Sequence, residues 1–257
     1  METIAICMQK GGVGKTLTAH QIGAGLILKG YRVLFVDLDP QQNLSYSMGA
    51  NMKGATIASL FEQAIDPDEN SFGTLEAIQH TKQGDLLAGS PSIAGADTIL
   101  ADEERREYIL KDILRPARKN YDYCIIDTPP TLGTLAVNAL TAADIVIAPA
   151  QAEVFSLMSI GQLYNTITTV RKHSNKALSF KGILLTRYNN RTVLSRDMAD
   201  KITAAARQCG TRVFNTRIRE CTALKEAALV QQNIFQYAPR SNAAADYKAF
   251  IEELLQS

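Results

Sequence analysis

No apolar run in this 257-residue chain approaches the roughly 20 residues that a membrane-spanning helix needs. The N-terminus leads straight into strand-like sequence, with no basic stretch followed by a hydrophobic segment of the signal type. Both absences point to a cytoplasmic protein. Cys7, Cys124, Cys209 and Cys221 show no CxxC spacing, and two of them lie inside apolar strand-like runs. They read as small buried hydrophobes in a reducing compartment, in preference to a metal site or disulfides. His20, His80 and His173 are scattered without ligand-like spacing, so no chemistry is assigned to them. Linkers, repeats and low-complexity segments are also missing. With 46% hydrophobic and 21% charged residues, the composition is that of an ordinary soluble protein, and residues 1–257 read as one domain.

What is present is concentrated near the start. Gln9-Lys-Gly-Gly-Val-Gly-Lys-Thr16 follows the apolar run Ile4–Met8 and precedes a helix-compatible segment, Leu17 to Leu28. A strand, a glycine-rich turn and a helix start are the parts of a phosphate-cradling P-loop. Backbone N–H groups of Lys10, Gly11, Gly12, Val13, Gly14, Lys15, Thr16 and Leu17 are candidates to surround a nucleotide's phosphates, aided by the helix N-terminus. Lys15 would reach the β- and γ-phosphates, and the Thr16 hydroxyl would ligate Mg²⁺. The strict pattern G-x4-G-K-[ST] fails, because Gln9 occupies the first glycine position and Lys10 stands directly before the glycine pair.

Further strands are expected at Arg32–Val36, Asp85–Ala88, Tyr123–Ile126, Ile145–Ala148, Gly182–Thr186 and Arg212–Phe214. Helical spacing covers 57–64, 103–119, 132–142, 157–170, 195–208, 223–232 and 243–255, with Pro116 disturbing the second of these. An acidic turn is expected at Asp66–Asn70. Short β-branched runs alternating with helices argue for an α/β fold, a mainly parallel sheet with helices on both faces.

In such a sheet, ligands bind at the C-terminal ends of the strands, where loops 9–16, 37–41 and 127–130 fall. Asp127 ends a strongly apolar strand and is placed to hold Mg²⁺ through water. Asp37 and Asp39 end the neighbouring strand, and one of them could orient an attacking water. Asp39 has the alternative of shaping the turn before Pro40, and Asp37 reads as a structural or outer-shell residue. Lys10 is either a solvated loop lysine or a second cation that neutralises transition-state charge, as an arginine finger does. From the start of the loop it could reach across an interface to a partner's nucleotide, which suggests a homodimer.

The net charge of +1 conceals an asymmetry. Residues 171–240 hold 14 Lys/Arg and 4 Asp/Glu, a net of +10, against −9 for the rest. A basic block of this kind points to a polyanion. Arg187, Arg191, Arg196, Arg217, Arg219, Lys225 and Arg240 are the candidate DNA contacts, and few aromatics interleave with them. Salt-sensitive phosphate contacts are therefore expected instead of base stacking. Arg187 could alternatively lie near the nucleotide base.

Lys10–Thr16, Asp37-Leu-Asp-Pro-Gln41 and Asp127-Thr-Pro-Pro130 together resemble the deviant Walker A ATPases. Within them the chain is most similar to the ParA/Soj branch, through Pro149–Glu153, Leu185–Thr192 and Tyr237–Tyr247 as well. The resemblance implies an Mg²⁺-dependent ATPase with weak basal turnover. ATP would close a sandwich dimer in which Lys10 crosses to the other subunit's phosphates, while Asp39 positions the water. The dimer would bind double-stranded DNA without sequence specificity, on the nucleoid. A ParB-type centromere-binding protein would stimulate hydrolysis and release it, segregating a plasmid or chromosome. Strand 1 begins at about residue 3, so the short form without an N-terminal helix-turn-helix is expected.

A MinD-like membrane-positioning ATPase is the alternative, since it shares all three motifs. That branch ends in a basic amphipathic helix, whereas Tyr247–Ser257 here has two acids and one lysine. No membrane partner is therefore expected. An iron–sulfur carrier would need cysteines placed to bridge a cluster, and a tyrosine-kinase relative a tyrosine-rich tail.

Overall fold

The computed structural model describes residues 1–67, 71–100 and 103–256; the last three residues of the expected acidic turn at 66–70 lie outside it. The apolar runs become strands: β1 Glu2–Ile6, β2 Val33–Asp37, β3 Gln79–Thr81, β4 Gly84–Leu87, β5 Tyr123–Asp127, β6 Ile145–Ala150, β7 Ser179–Tyr188 and β8 Val213–Arg219. The helices are α1 Lys15–Leu28, α2 Asn43–Ser47, α3 Ile57–Ile65, α4 Thr74–Ala77, α5 Ala96–Ile99 and α6 Ile109–Leu114. They continue with α7 Thr134–Ala142, α8 Val154–His173, α9 Val193–Gln208, α10 Ala223–Leu229, α11 Ile234–Tyr237 and α12 Asn242–Leu255.

The strands form one sheet in the order β3-β4-β2-β5-β1-β6-β7-β8. Every pairing is parallel except the short β3–β4 hairpin. Parallel central strands need cover on both faces, which explains why β2 is buried at all five positions. Successive residues of β1 divide between two cores. Ile4 and Ile6 pack with α1 and α12, and Ala5 with α3, α6, α7, α8 and α9. Helix α1 lies close because it carries glycines. A Cβ at Gly23 would sit 2.2 Å from the Phe35 ring, and one at Gly25 would sit 2.1 Å from Ile251.

Helix α12 covers the outer strand at one end of the sheet. Its Tyr247, Phe250, Ile251 and Leu254 are buried, and the Phe250 ring meets Phe214 edge-on at 4.9 Å. Its acids reach the strand's unpaired backbone: Glu253 accepts from the N–H groups of Asn215 and Thr216 at 2.8 Å each, and Asp246 accepts from Arg219 N–H at 3.0 Å.

Three elements depart from the sequence reading. The helix expected over 103–119 is broken into α6 and two flanking 3₁₀ turns, the second starting at Pro116, whose ring cannot continue an α-helix. The strand expected at 212–214 runs to Arg219, since its half-exposed second part carries polar residues. The hairpin strand β3, Gln-His-Thr, has no apolar signal at all. Among the described residues, no helix is long and apolar enough to cross a membrane.

Candidate phosphate and metal site

Strands β2, β5 and β1 are parallel neighbours, so their C-terminal loops meet at one edge. The register places Asp127 beside Ile6 on one side and beside Asp37 on the other. The loop between β1 and α1 takes its shape from two left-handed glycines, Gly12 at φ 76° and Gly14 at φ 86°. Such a backbone strains any residue with a Cβ. Nothing lies within 4 Å of where a Cβ would stand at Gly11, Gly12 or Gly14, so the loop opens onto free space.

Neighbouring strands pin that loop from outside. Thr186 Oγ1, on β7, donates to Val13 O at 2.7 Å, and Gln151 Nε2 donates to Gly12 O at 3.1 Å. Thr128 Oγ1 donates to Ile6 O at 2.9 Å, fixing the turn after β5. Lys15 opens α1 and is buried, its Nζ donating to the carbonyl of Lys10 at 3.3 Å. Burial pushes its pKa down, and the nearby Asp127 opposes that shift.

The three aspartates are all buried, with different surroundings. Asp37 is saturated: Oδ1 accepts from Asp39 N–H at 3.1 Å, and Oδ2 accepts from Ser45 N–H at 2.8 Å and Ser45 Oγ at 2.7 Å. Gly89 N–H in turn donates to Ser45 Oγ at 2.8 Å. Burial still raises Asp37 to about 6. Asp39 Oδ1 accepts from Gln41 N–H at 3.0 Å, which organises the turn through Pro40. Neither oxygen of Asp127 has a hydrogen-bond partner of good geometry. Burial, and then the adjacent Asp37, push its carboxyl well above the usual range. The Thr16 hydroxyl and Lys15 lie close enough to offset this only in part.

An orphaned, buried carboxylate beside a hydroxyl and an open glycine loop fits a cation that is completed by other ligands. Among the described residues no group of three or more His, Cys, Asp or Glu could hold a metal alone. That suits Mg²⁺, which keeps waters and phosphate oxygens around one or two protein ligands. Asp127 and Thr16 are the residues that would hold it.

Lys10 sits at the rim. Its Nζ forms an ion pair with Glu153, the residue before α8, and lies 5.7 Å from the Phe155 ring centroid. Beside the loop, Gly12, Gly14, Leu17, Thr186 and Tyr247 line a pocket of about 80 Å³ whose wall also holds Arg187 and Lys225.

Of the arginines singled out for DNA, Arg187 pairs with Glu220 at 2.7 Å from a left-handed backbone at φ 49°. Arg219 makes a two-pronged pair with Asp246 at 3.0 and 2.6 Å. Arg217 stacks over the Tyr188 ring at 4.4 Å, and Arg196 Nη1 donates to Asn190 O at 2.9 Å. Arg191 and Arg240 are exposed. The partners Ser45, Glu153, Glu220 and Asp246 were not read from the sequence, because each meets its target only through tertiary folding.

Comparison with known proteins places this arrangement. A protein-family model, AAA domain, matches residues 1–180. The sporulation initiation inhibitor protein Soj of Bacillus subtilis is 37% identical over 251 residues, covering 98% of this chain and 97% of that protein. The chromosome-partitioning ATPase Soj of Treponema pallidum is 36% identical, covering 99% and 97%. The crystal structure of cobyrinic acid a,c-diamide synthase from Mycobacterium smegmatis, with bound ATP analog and magnesium, is 34% identical. It superposes with a TM-score of 0.83 over 100% of this chain and 95% of that one.

Proposed function

The chain belongs to the ParA/Soj-type family of partition ATPases, and on that premise we propose that it is an ATP-switched DNA-partition protein. ATP closes two copies into a sandwich dimer, the dimer holds double-stranded DNA without reading its sequence, and a ParB-type partner triggers hydrolysis that releases it. The observation carrying this reading is the Asp127 carboxylate, buried without a partner beside Lys15 and an open glycine loop. The family's solved relative binds an ATP analog and magnesium, which suits that geometry.

The residues divide the chemistry as follows. Loop N–H groups from Gly11 to Leu17 and the Lys15 ammonium hold the phosphates. Thr16, and Asp127 through water, would hold Mg²⁺, which when bound would supply charge neutralisation during phosphoryl transfer. Asp39 accepts a hydrogen bond from the attacking water and aims its oxygen at the γ-phosphorus, as the γ-phosphorus bond to the bridging oxygen breaks. Lys10 of one copy stabilises the charge developing at the other copy's nucleotide. Candidate DNA contacts are Arg191, Arg196, Arg217, Lys225 and Arg240, since Arg187 and Arg219 already have acidic partners.

The membrane-positioning alternative is disfavoured by the packing of α12. The apolar side chains that a bilayer would take up are buried against α1 and β8.

Co-sedimentation with DNA in ADP, ATP and a non-hydrolysable analogue, at two salt concentrations, tests the proposal. Binding should require the triphosphate and fall steeply with salt. Binding to liposomes without binding to DNA would overturn it. Lys10→Ala should retain nucleotide affinity and lose partner-stimulated turnover, which a malachite-green phosphate assay reads directly.

A further inference from the structure

The edge where β6 enters α8 carries features that the hydrolytic residues do not explain. Lys10 turns its carbonyl to Lys15 Nζ, while its own side chain runs to Glu153 and the Phe155 ring. Both partners of this ion pair stay partly accessible, Lys10 at 26% and Glu153 at 38%. Around them the first turns of α8 expose Val154 at 59%, Phe155 at 67% and Met158 at 67%. Val193 and Leu194, at the start of α9, are exposed at 62% and 66%. Ala150 and Leu185 are register partners on adjacent parallel strands, so both helix starts stand on the edge that bears the glycine loop. Gln151 fastens that edge to Gly12. Val154, Phe155 and Met158 beside the charged pair, with Val193 and Leu194 at the neighbouring helix start, are an interaction surface, not ordinary solvent cover.

We propose that Glu153 is a latch holding Lys10 on its own subunit until the second copy of the ATP-closed dimer arrives loaded. The inference rests on the ATP-closed dimer proposed above. Charge complementarity selects the occupant. A lysine already neutralised by one carboxylate leaves it for a denser anion, and a triphosphate in the facing cradle is that anion. A two-fold contact brings the same edge of both copies together, so each Lys10 finds the other's phosphates while the apolar side chains are buried. Before closure the latch keeps Lys10 from acting as a free surface cation. It also sets a threshold, because two ion pairs must break for every dimer formed. A partly exposed pair is weak, so removing both should tighten dimerisation by about fivefold.

Sedimentation equilibrium of the full chain with Mg²⁺ and a non-hydrolysable ATP analogue measures this. Glu153→Gln should dimerise at about fivefold lower protein concentration than wild type. Met158→Glu should remain monomeric where wild type is fully dimeric, while binding a fluorescent ATP analogue with unchanged affinity. If wild type dimerises and Glu153→Gln dimerises no more tightly, the latch is wrong and the dimer reading survives. Dimerisation of Met158→Glu at the wild-type concentration would overturn the docking face. A wild-type protein that stays monomeric with the analogue would overturn the dimer reading and this inference with it.

Discussion

The ends of β2 and β5 lie side by side, in register, and each finishes on a fully buried aspartate. At Asp37 the surroundings close in. Three donors fill its oxygens, and a Cβ on Gly89 would come within 3.0 Å of its carboxyl carbon. At Asp127 nothing donates with good geometry, and the adjacent glycine loop is open. The two residues have the same chemistry, depth and distance from the strand end, so depth alone does not mark a functional group. The unmet demand for a partner does, because a buried carboxylate without one is unfavourable unless something outside the chain completes it. Asp37 is completed by the protein; in the proposed function Asp127 is completed by a ligand.

Substitutions at the two positions should separate cleanly. Asp127→Asn should lower ATP hydrolysis at least about 100-fold and abolish the Mg²⁺-dependent rise in melting temperature with nucleotide, with the ligand-free melting temperature retained. Asp37→Ala should do the reverse in the ligand-free protein. It strands Ser45 N–H, Ser45 Oγ and Asp39 N–H, costing about 3 kcal/mol in urea denaturation. Equal stability losses at the two sites would break the comparison.

His20 sharpens it from outside the site. It is buried on α1, its ring edge-on to Phe35, and neither nitrogen has a hydrogen bond of good geometry. It meets the demand by staying neutral: burial lowers it to about 4, and the nearby Gln83 offsets little of that. Between that value and the unfolded value near 6.5, the unfolded chain binds the extra proton. Stability is therefore full above about 6.5 and falls as pH drops toward 4. Wild type should lose about 2 kcal/mol from this residue between pH 7 and pH 5. His20→Gln should remove that part of the slope in paired denaturation curves.

Much of this edge was legible beforehand because its signals are local. Gly12, Gly14, Lys15 and Thr16 fall within one short turn whose backbone demands glycine, and Asp127 directly follows an apolar run. The central strands were equally plain, since burial on both faces writes itself as Val, Ile and Leu. What stayed hidden depends on distant partners. Nothing near Asp37 in sequence announces that Gly89 and Ser45 will enclose it, and Glu153 is 143 residues from the lysine it holds. Strand β3 has no apolar face to betray it, and the polar second half of β8 is recognisable only once α12 covers its edge. The basic block was legible as a count of charges, but its pairings were not: Glu220 and Asp246 fold onto Arg187 and Arg219.

The covered edge of β8 has a consequence for larger assemblies. With Glu253 and Asp246 occupying three backbone N–H groups of β8, and only three residues in β3 at the opposite edge, the described residues offer little ladder for a neighbour to extend. Any array of these molecules is then joined by side-chain faces, which the proposed cycle would separate on hydrolysis. Strand-to-strand stacking, which turns association into a persistent fibril, is closed to it. In the proposed cycle, where DNA is released at every turnover, edges that cannot hold on suit that release.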